Sequence, residues 1–304
     1  MTGSTTMNDE SPTLDAASGA GPARRERATL QLFRNALRIR RTVIGLCILC
    51  PVVFVALFGA AFAPHDPRAF IGAPFTSGGS ASWLGTDTAG RDVLSRVLAG
   101  GRTTLLIATA SAVLGVALGT FFGLTAALAR SWGDGAIMRS LDLLLAFPQY
   151  VLVLVTVAIF GASTWLTILL VAVVWTTPVA KVMRSAALGV AQQDFVRYSR
   201  SLGASRTKVL FTDILGNVTA PLSVEFGLRL TYSVALVAGL AFLGFGPQPP
   251  TPDWGVMVAE NQVGLTIQAW ATMAPVCCIA LLAIGANLVT EGLARAVALG
   301  SPES

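Results

Sequence analysis

The chain has 304 residues, of which 54% are hydrophobic and only 12% charged, with a mean hydropathy of +0.68 and a formal net charge of +5. So apolar a composition excludes an ordinary soluble enzyme, and the positive charge does not indicate nucleic-acid binding because there is no soluble basic domain to carry it. An all-α polytopic membrane protein is the expected class.

Residues 1–42 read as a cytosolic tail. Positions 1–23 are rich in Ser, Thr, Gly and Ala without apolar periodicity, and are expected to be disordered. Arg24, Arg25, Arg27, Arg34, Arg38, Arg40 and Arg41 then precede the first apolar run, 43–63. Ala61-Phe62-Ala63 resembles a signal-peptide cleavage site, but about forty residues precede the run and Pro64 would follow the cut, so an anchoring span is favoured. Cys47 and Cys50 have C-x-x-C spacing without a second ligand pair, and with Cys277 and Cys278 they read as small buried hydrophobes. His65, beside Asp66 and Pro67, reads as a loop residue.

The next segment contains LGTDTAGRDVLSRVLAGGR, 84–102. Val93, Leu94, Val97 and Leu98 make an apolar stripe and Asp92 and Arg96 are spaced i,i+4, which predicts an interfacial helix ahead of the second span. Further apolar runs, each matched to about 30 Å of hydrocarbon, occupy 103–129, 143–162, 164–180, 230–245 and 263–290. The fourth span becomes long enough if Lys181 and Arg184 snorkel, and the fifth if it begins near Leu222 and carries Glu225 and Arg229 as an i,i+4 pair. Six helices result. In the loop after the fifth, Pro247, Pro249, Pro250 and Pro252 stiffen the chain, and Trp254 is expected at an aromatic belt.

Between the fourth and fifth spans lies the polar stretch FVRYSRSLGASRTKVLF, 195–211. Asp194 is expected to cap a short helix 195–202, Gly203 to end it in a left-handed conformation, and Ser205 to cap a second helix running to Leu215. Phe195, Tyr198 and Leu202 share one face of the first helix, with Arg197 and Arg200 on another. Such an elbow is either an interfacial element that meets anionic lipid or a docking element for a cytosolic partner. With the N-terminus inside, Arg130, Arg139, Lys181, Arg184, Arg197, Arg200, Arg206, Lys208 and Arg295 all fall on the cytoplasmic face, so both termini are expected there.

The only lysines, Lys181 and Lys208, do not follow glycine, so no phosphate-binding loop exists and the chain is not itself an ATPase. Asp142 and Glu225 lie toward the inner ends of their spans, which gives poor support to a proton or sodium relay and so to an ion-coupled carrier.

The elbow and the 84–102 segment resemble permease subunits of ATP-binding cassette importers, the latter those of the peptide, oligopeptide and nickel class. In the elbow the family's Glu-Ala-Ala positions hold Arg197, Tyr198 and Ser199, and the motif glycine is Gly203. Further resemblance lies in AFPQYVLVL (146–154), GLAFLGFGPQPPTPDWGVMVAE (239–260) and NLVTEGLARA (287–296); a glutamate frequent in the family is Val237 here. The resemblance implies a type I importer permease fold in the inner membrane: residues 43–102 as the first helix with its outer segment, 103–298 as the permease domain with coupling loop 186–222, and 299–304 as a second cytosolic tail. It implies a coupling site at Phe195, Val196, Arg197, Tyr198, Arg200, Leu202, Gly203, Ala204 and Ser205, and an outer-segment motif at Gly85, Thr86, Asp87, Gly90, Arg91 and Asp92. It implies a homologous second permease, two ATPase subunits, an external substrate-binding protein and membrane lipid as partners. No cofactor is implied in this chain, since ATP and Mg would be bound by the ATPases. Peptide is the implied cargo, with nickel or another small solute as the alternative.

Overall fold

The computed structural model describes residues 36–80, 82–129 and 131–300, and only the backbone of 299 and 300. The expected disordered tail 1–23, most of the basic cluster before the first span, and the tail 301–304 lie outside the described residues. Among the described residues there are ten α-helices: α1 (Arg40–Phe58), α2 (Val93–Leu128), α3 (Ser131–Leu145), α4 (Gln149–Phe160), α5 (Thr164–Ala191), α6 (Asp194–Ser201), α7 (Arg206–Lys208), α8 (Thr219–Leu240), α9 (Trp254–Asn261) and α10 (Trp270–Gly300). Among the described residues the only β pairing is two isolated bridges, Phe70 with Arg91 and Thr86 with Asp92.

Five of these helices, with the short turns that continue two of them, are long and apolar enough to cross a membrane, and α3 with α4, bent by 78°, count as a sixth span when the bent pair is taken as one. The bend falls at Pro148. A proline ring disfavours helical backbone at the residue before it and proline lacks an N–H, so α3 ends at Leu145 and α4 restarts where Leu152 N–H donates to the Pro148 carbonyl at 3.0 Å.

α2 and α5 form the closest helix pair of the bundle. Gly115, Gly119 and Gly123 recur every four residues on α2, and a Cβ built at Gly119 would lie 2.5 Å from Val179 Cβ, at Gly123 2.5 Å from the Ala180 carbonyl oxygen. Hydrocarbon provides no hydrophobic drive between helices, so this stripe of small residues, which lets backbones touch, is what joins them. α1 lies along α10 by the same device, with Gly45 against Leu288 and Val289, and Gly292 against Thr42.

Several expectations are corrected. The interfacial helix is not separate: α2 runs unbroken from Val93, because Gly100 and Gly101 are clamped against Trp254 and Ala56 rather than free to break it. Lys181 and Arg184 sit within α5, which continues to Ala191, and they pair with α3, Lys181 to Asp142 at 2.6 Å and Arg184 to Asp134. The last span begins at Trp270, since Gln268 is held by the Thr76 and Leu84 carbonyls. Cys47, Cys50 and Cys277 are exposed on this chain, on faces that the α1–α10 glycine contacts do not use. Trp254 is no belt residue: it is fully buried and its indole N–H donates to the Val97 carbonyl at 2.8 Å.

Two cores follow from this packing. One gathers Trp175, Trp254, Val93, Val97, Val234 and Leu240 near the end that carries residues 63–92. The other, at the opposite end, gathers Val116, Leu124, Val179 and Met183 with the elbow.

Candidate functional site

The elbow is built from α6 outward. Asp194 stands in the first turn of α6, and no side chain caps the helix, which corrects the expected Asp194 cap. At the other end the glycine expectation holds. Gly203 has φ +81, and the turn closes with Gly203 N–H donating to the Arg200 carbonyl at 3.0 Å and Ala204 N–H to the Ser199 carbonyl at 3.1 Å. Ser205 Oγ accepts from Lys208 N–H at 3.2 Å, the expected cap. α7 then widens into a π-helical stretch, Val209–Ile214, in place of the continuous α-helix expected to Leu215.

Val196, Val209, Ile214 and Val218 are the anchors, each at most 1% exposed and packed on α2 and α5. Sequence periodicity singled out Phe195, Tyr198 and Leu202, but these point away from the bundle, with Tyr198 67% and Leu202 70% exposed. The anchoring valines carry no periodic signal because α6 is only eight residues long and its contact is made by one side chain. Arg197 and Arg200 are exposed too, so α6 presents an aromatic-aliphatic strip beside two cations, on a mount fixed by Val196 and the Gly203 turn.

At the other end the motif residues Gly85, Thr86, Asp87, Gly90, Arg91 and Asp92 do come together, in a buried knot. Gly85 and Gly90 take φ +77 and +78, folding the segment back so that Asp87 reaches three partners. Asp87 Oδ1 accepts the Ala89 and Arg91 backbone N–H groups at 2.9 and 2.8 Å, while Oδ2 accepts Arg91 Nε at 2.9 Å and Arg96 Nη1. Glu260, on α9, closes the ring at 3.1 Å from Arg91 Nη2 and 2.9 Å from Arg96 Nη1. Arg96 was expected to pair with Asp92; it pairs instead with Asp87 and Glu260, and Asp92 caps α2 by accepting Ser95 N–H at 3.0 Å. Thr86 Oγ1 accepts Thr76 N–H at 2.8 Å and donates to the Ala73 carbonyl at 2.6 Å.

Burial alone would raise the Asp92 carboxyl, but bonds from Ser82, Ser95 and His65 outweigh it and hold the group below the ordinary carboxylate range. Asp253, which caps α9 and accepts Thr104 Oγ1–H at 2.7 Å, goes the other way: burial pushes its carboxyl up in spite of the bonds it accepts. Glu260, Asp253, Ser82 and Asn261 were not singled out in the sequence; the one visible hint was Glu260 closing the run TPDWGVMVAE. Among the described residues no cluster of three or more His, Cys, Asp or Glu is placed to hold a metal.

Residues 115–299 match the family described as binding-protein-dependent transport system inner membrane component. The chain is 36% identical over 260 residues to the di/tripeptide transport system permease protein DppC of Pseudomonas aeruginosa strain UCBPP-PA14, covering 83% of this chain and 86% of that one. It is 35% identical over 269 residues to the glutathione transport system permease protein GsiD of Shigella dysenteriae serotype 1, covering 88% and 89%. With its six apolar spans, an elbow whose apolar strip is left uncovered, and a match over more than half its length, the chain belongs to the inner membrane components of binding-protein-dependent transport systems, multi-pass transport subunits that work with ATPase and substrate-binding partners.

Proposed function

We propose that the chain is one of two homologous permease subunits of a peptide-class importer, with both chain ends on the cytoplasmic face, two ATPases docked on that face and a binding protein delivering cargo from outside. The observation that carries this reading is the elbow. Phe195, Tyr198 and Leu202 are uncovered on a helix that is nonetheless rigidly mounted, the arrangement a groove on another subunit would fill. The peptide class rests on relatives named as di/tripeptide and glutathione permeases. In this reading ATP and Mg belong to the ATPases, and their closure pushes α6 and so moves α5 and α8 between two arrangements of the bundle.

Gly203→Val tests it. No atom lies within 4 Å of a Cβ built there, so the only cost is holding a β-branched residue at φ +81, roughly 1–3 kcal/mol of local strain. The variant is expected to reach the membrane at normal abundance yet lose ATPase association or couple hydrolysis poorly to uptake. Reversing the charges of Arg197 and Arg200 is the contrast. If those reversals abolish uptake while Gly203→Val transports and binds ATPase normally, the elbow meets lipid and the docking reading fails.

A further inference from the structure

We propose that Arg229, steadied by Glu225 and flanked by Trp175 and Tyr232, is an intramembrane site that receives the carboxylate of the solute in transit; the proposal rests on the permease reading above. Arg229 stands about 15 Å of helix rise into the span Thr219–Phe245, well inside the hydrocarbon, with Glu225 one turn nearer the inner end. Its Nε and Nη2 donate to the same Glu225 oxygen, Oε2, at 3.0 and 2.9 Å. Nη1 and Glu225 Oε1 take no part in these two bonds. The guanidinium carbon is 5.4 Å from the Trp175 ring centre and 5.9 Å from that of Tyr232. The indole is itself fixed by its N–H bond to Ser233 Oγ at 2.9 Å.

The cluster is not sealed. Trp175 is buried and the Arg229 and Glu225 side chains are 12% and 8% exposed, but Tyr232 is 47% exposed, so the group reaches the surface of the chain. α8 thus has two unlike faces. Leu222, Phe226 and Leu230 line an apolar cavity of about 750 Å³ shared with α2 and α10, whereas Glu225, Arg229 and Tyr232 make a polar stripe one quarter turn away. Lipid suits the first face. An ion pair reaching the surface inside the membrane belongs against water or protein, since hydrocarbon satisfies neither charge.

The chemistry selects the ligand. A guanidinium is a planar fork that matches a carboxylate, and here two of its three nitrogens are engaged by a single carboxylate oxygen, so donors remain for a second acid. Two aromatic rings steady the cation without neutralising it. Glu225 keeps the empty site neutral, which lets Arg229 stay charged between passages and lets an arriving carboxylate leave again. Solutes that end in a free carboxylate, as amino acids and peptides do, are the class this fits.

The test uses the assembled transporter, with Cys47, Cys50, Cys277 and Cys278 replaced by Ala and a single reporter, Tyr232→Cys, or Ala235→Cys one turn on if the first does not assemble. The probes are an anionic (sulfonatoethyl) and a cationic (trimethylammonioethyl) methanethiosulfonate, each rate normalised to that of a free thiol. Both are expected to label the reporter at similar normalised rates while Glu225 balances Arg229, and Arg229→Gln in the same background is expected to favour the cationic reagent about five-fold. Glu225→Gln is expected to favour the anionic reagent by a similar factor. A reporter reached only by a lipid-soluble maleimide places this face against lipid or protein and overturns the proposal, as does a ratio that Arg229→Gln leaves unchanged. ATP-dependent uptake by the parent transporter is scored separately, and its absence sinks the permease reading whatever the labelling rates.

Discussion

The knot and the elbow are both polar segments flanking apolar spans, yet they treat their side chains in opposite ways. In the knot, Asp87, Arg91, Arg96 and Glu260 turn their charges on one another, and Arg96 and Asp87 are wholly buried. In the elbow, Arg197, Arg200, Tyr198 and Leu202 face outward and only aliphatic anchors such as Val196 turn in. The first region pairs its charges within the chain, although Arg96 Nε and Nη2 are buried without a hydrogen-bond partner, whereas the second leaves its apolar strip exposed. A region whose charges answer one another serves as a rigid fixture, while one that leaves an apolar strip exposed is open to being covered by something else.

Breaking the knot gives the largest expected effect. Asp87→Asn removes the negative charge between two buried arginines, an imbalance that costs on the order of 3–5 kcal/mol when one partner of a buried pair is lost. Thermal unfolding in detergent is expected to shift strongly downward and residues 63–92 to become protease-sensitive, while ATPase association at the elbow persists in whatever protein remains folded. An unchanged melting temperature would show that the knot contributes nothing as a fixture.

The elbow sharpens the contrast between anchored and presented side chains. Val196→Ala removes two buried methyl groups, for about 1–3 kcal/mol, and is expected to lower both stability and ATPase association. Tyr198→Ala, at an exposed position, is expected to change stability by no more than about 0.5 kcal/mol yet still weaken ATPase association. Equal effects of the two on stability would erase the distinction.

The smallest effects concern pH within the knot end itself. The Asp92 carboxyl is held low in the fold, so its contribution is fully present above the ordinary carboxylate value of about 4 and is lost as pH falls through its lowered value. Asp92→Asn is therefore expected to lower the melting temperature at pH 7, with the gap to the parent closing under stronger acid. Asp253 is held high, so the parent loses stability as pH rises above about 4 toward that raised value. Asp253→Asn, which keeps an acceptor for Thr104 and the α9 cap, is expected to match or exceed the parent at pH 7 and to lose that advantage on acidification. Melting curves of the three proteins across pH would decide between these opposite slopes.

Much of this was legible from residues alone because its causes are local. Span length follows from apolar runs measured against hydrocarbon thickness, the Gly203 turn from the one residue type at ease at φ +81, and the Ser205 cap from a hydroxyl three residues before a free N–H. The glycine stripe Gly115, Gly119 and Gly123 was equally local and went unread. What tertiary structure alone decided are the partners across long stretches of chain: Glu260 closing on Arg91 and Arg96, Trp254 pressed onto Gly100 and Gly101, and Gln268 reaching the Thr76 and Leu84 carbonyls. Each was invisible because a buried charge or indole must find whichever partner the packed helices bring near, and the close approach of α2 to α5 and of α1 to α10 determines which that is. The same packing decided the outward turn of Phe195, Tyr198 and Leu202, since α6 can seat only one side chain in the α2–α5 core and Val196 is the one that fits.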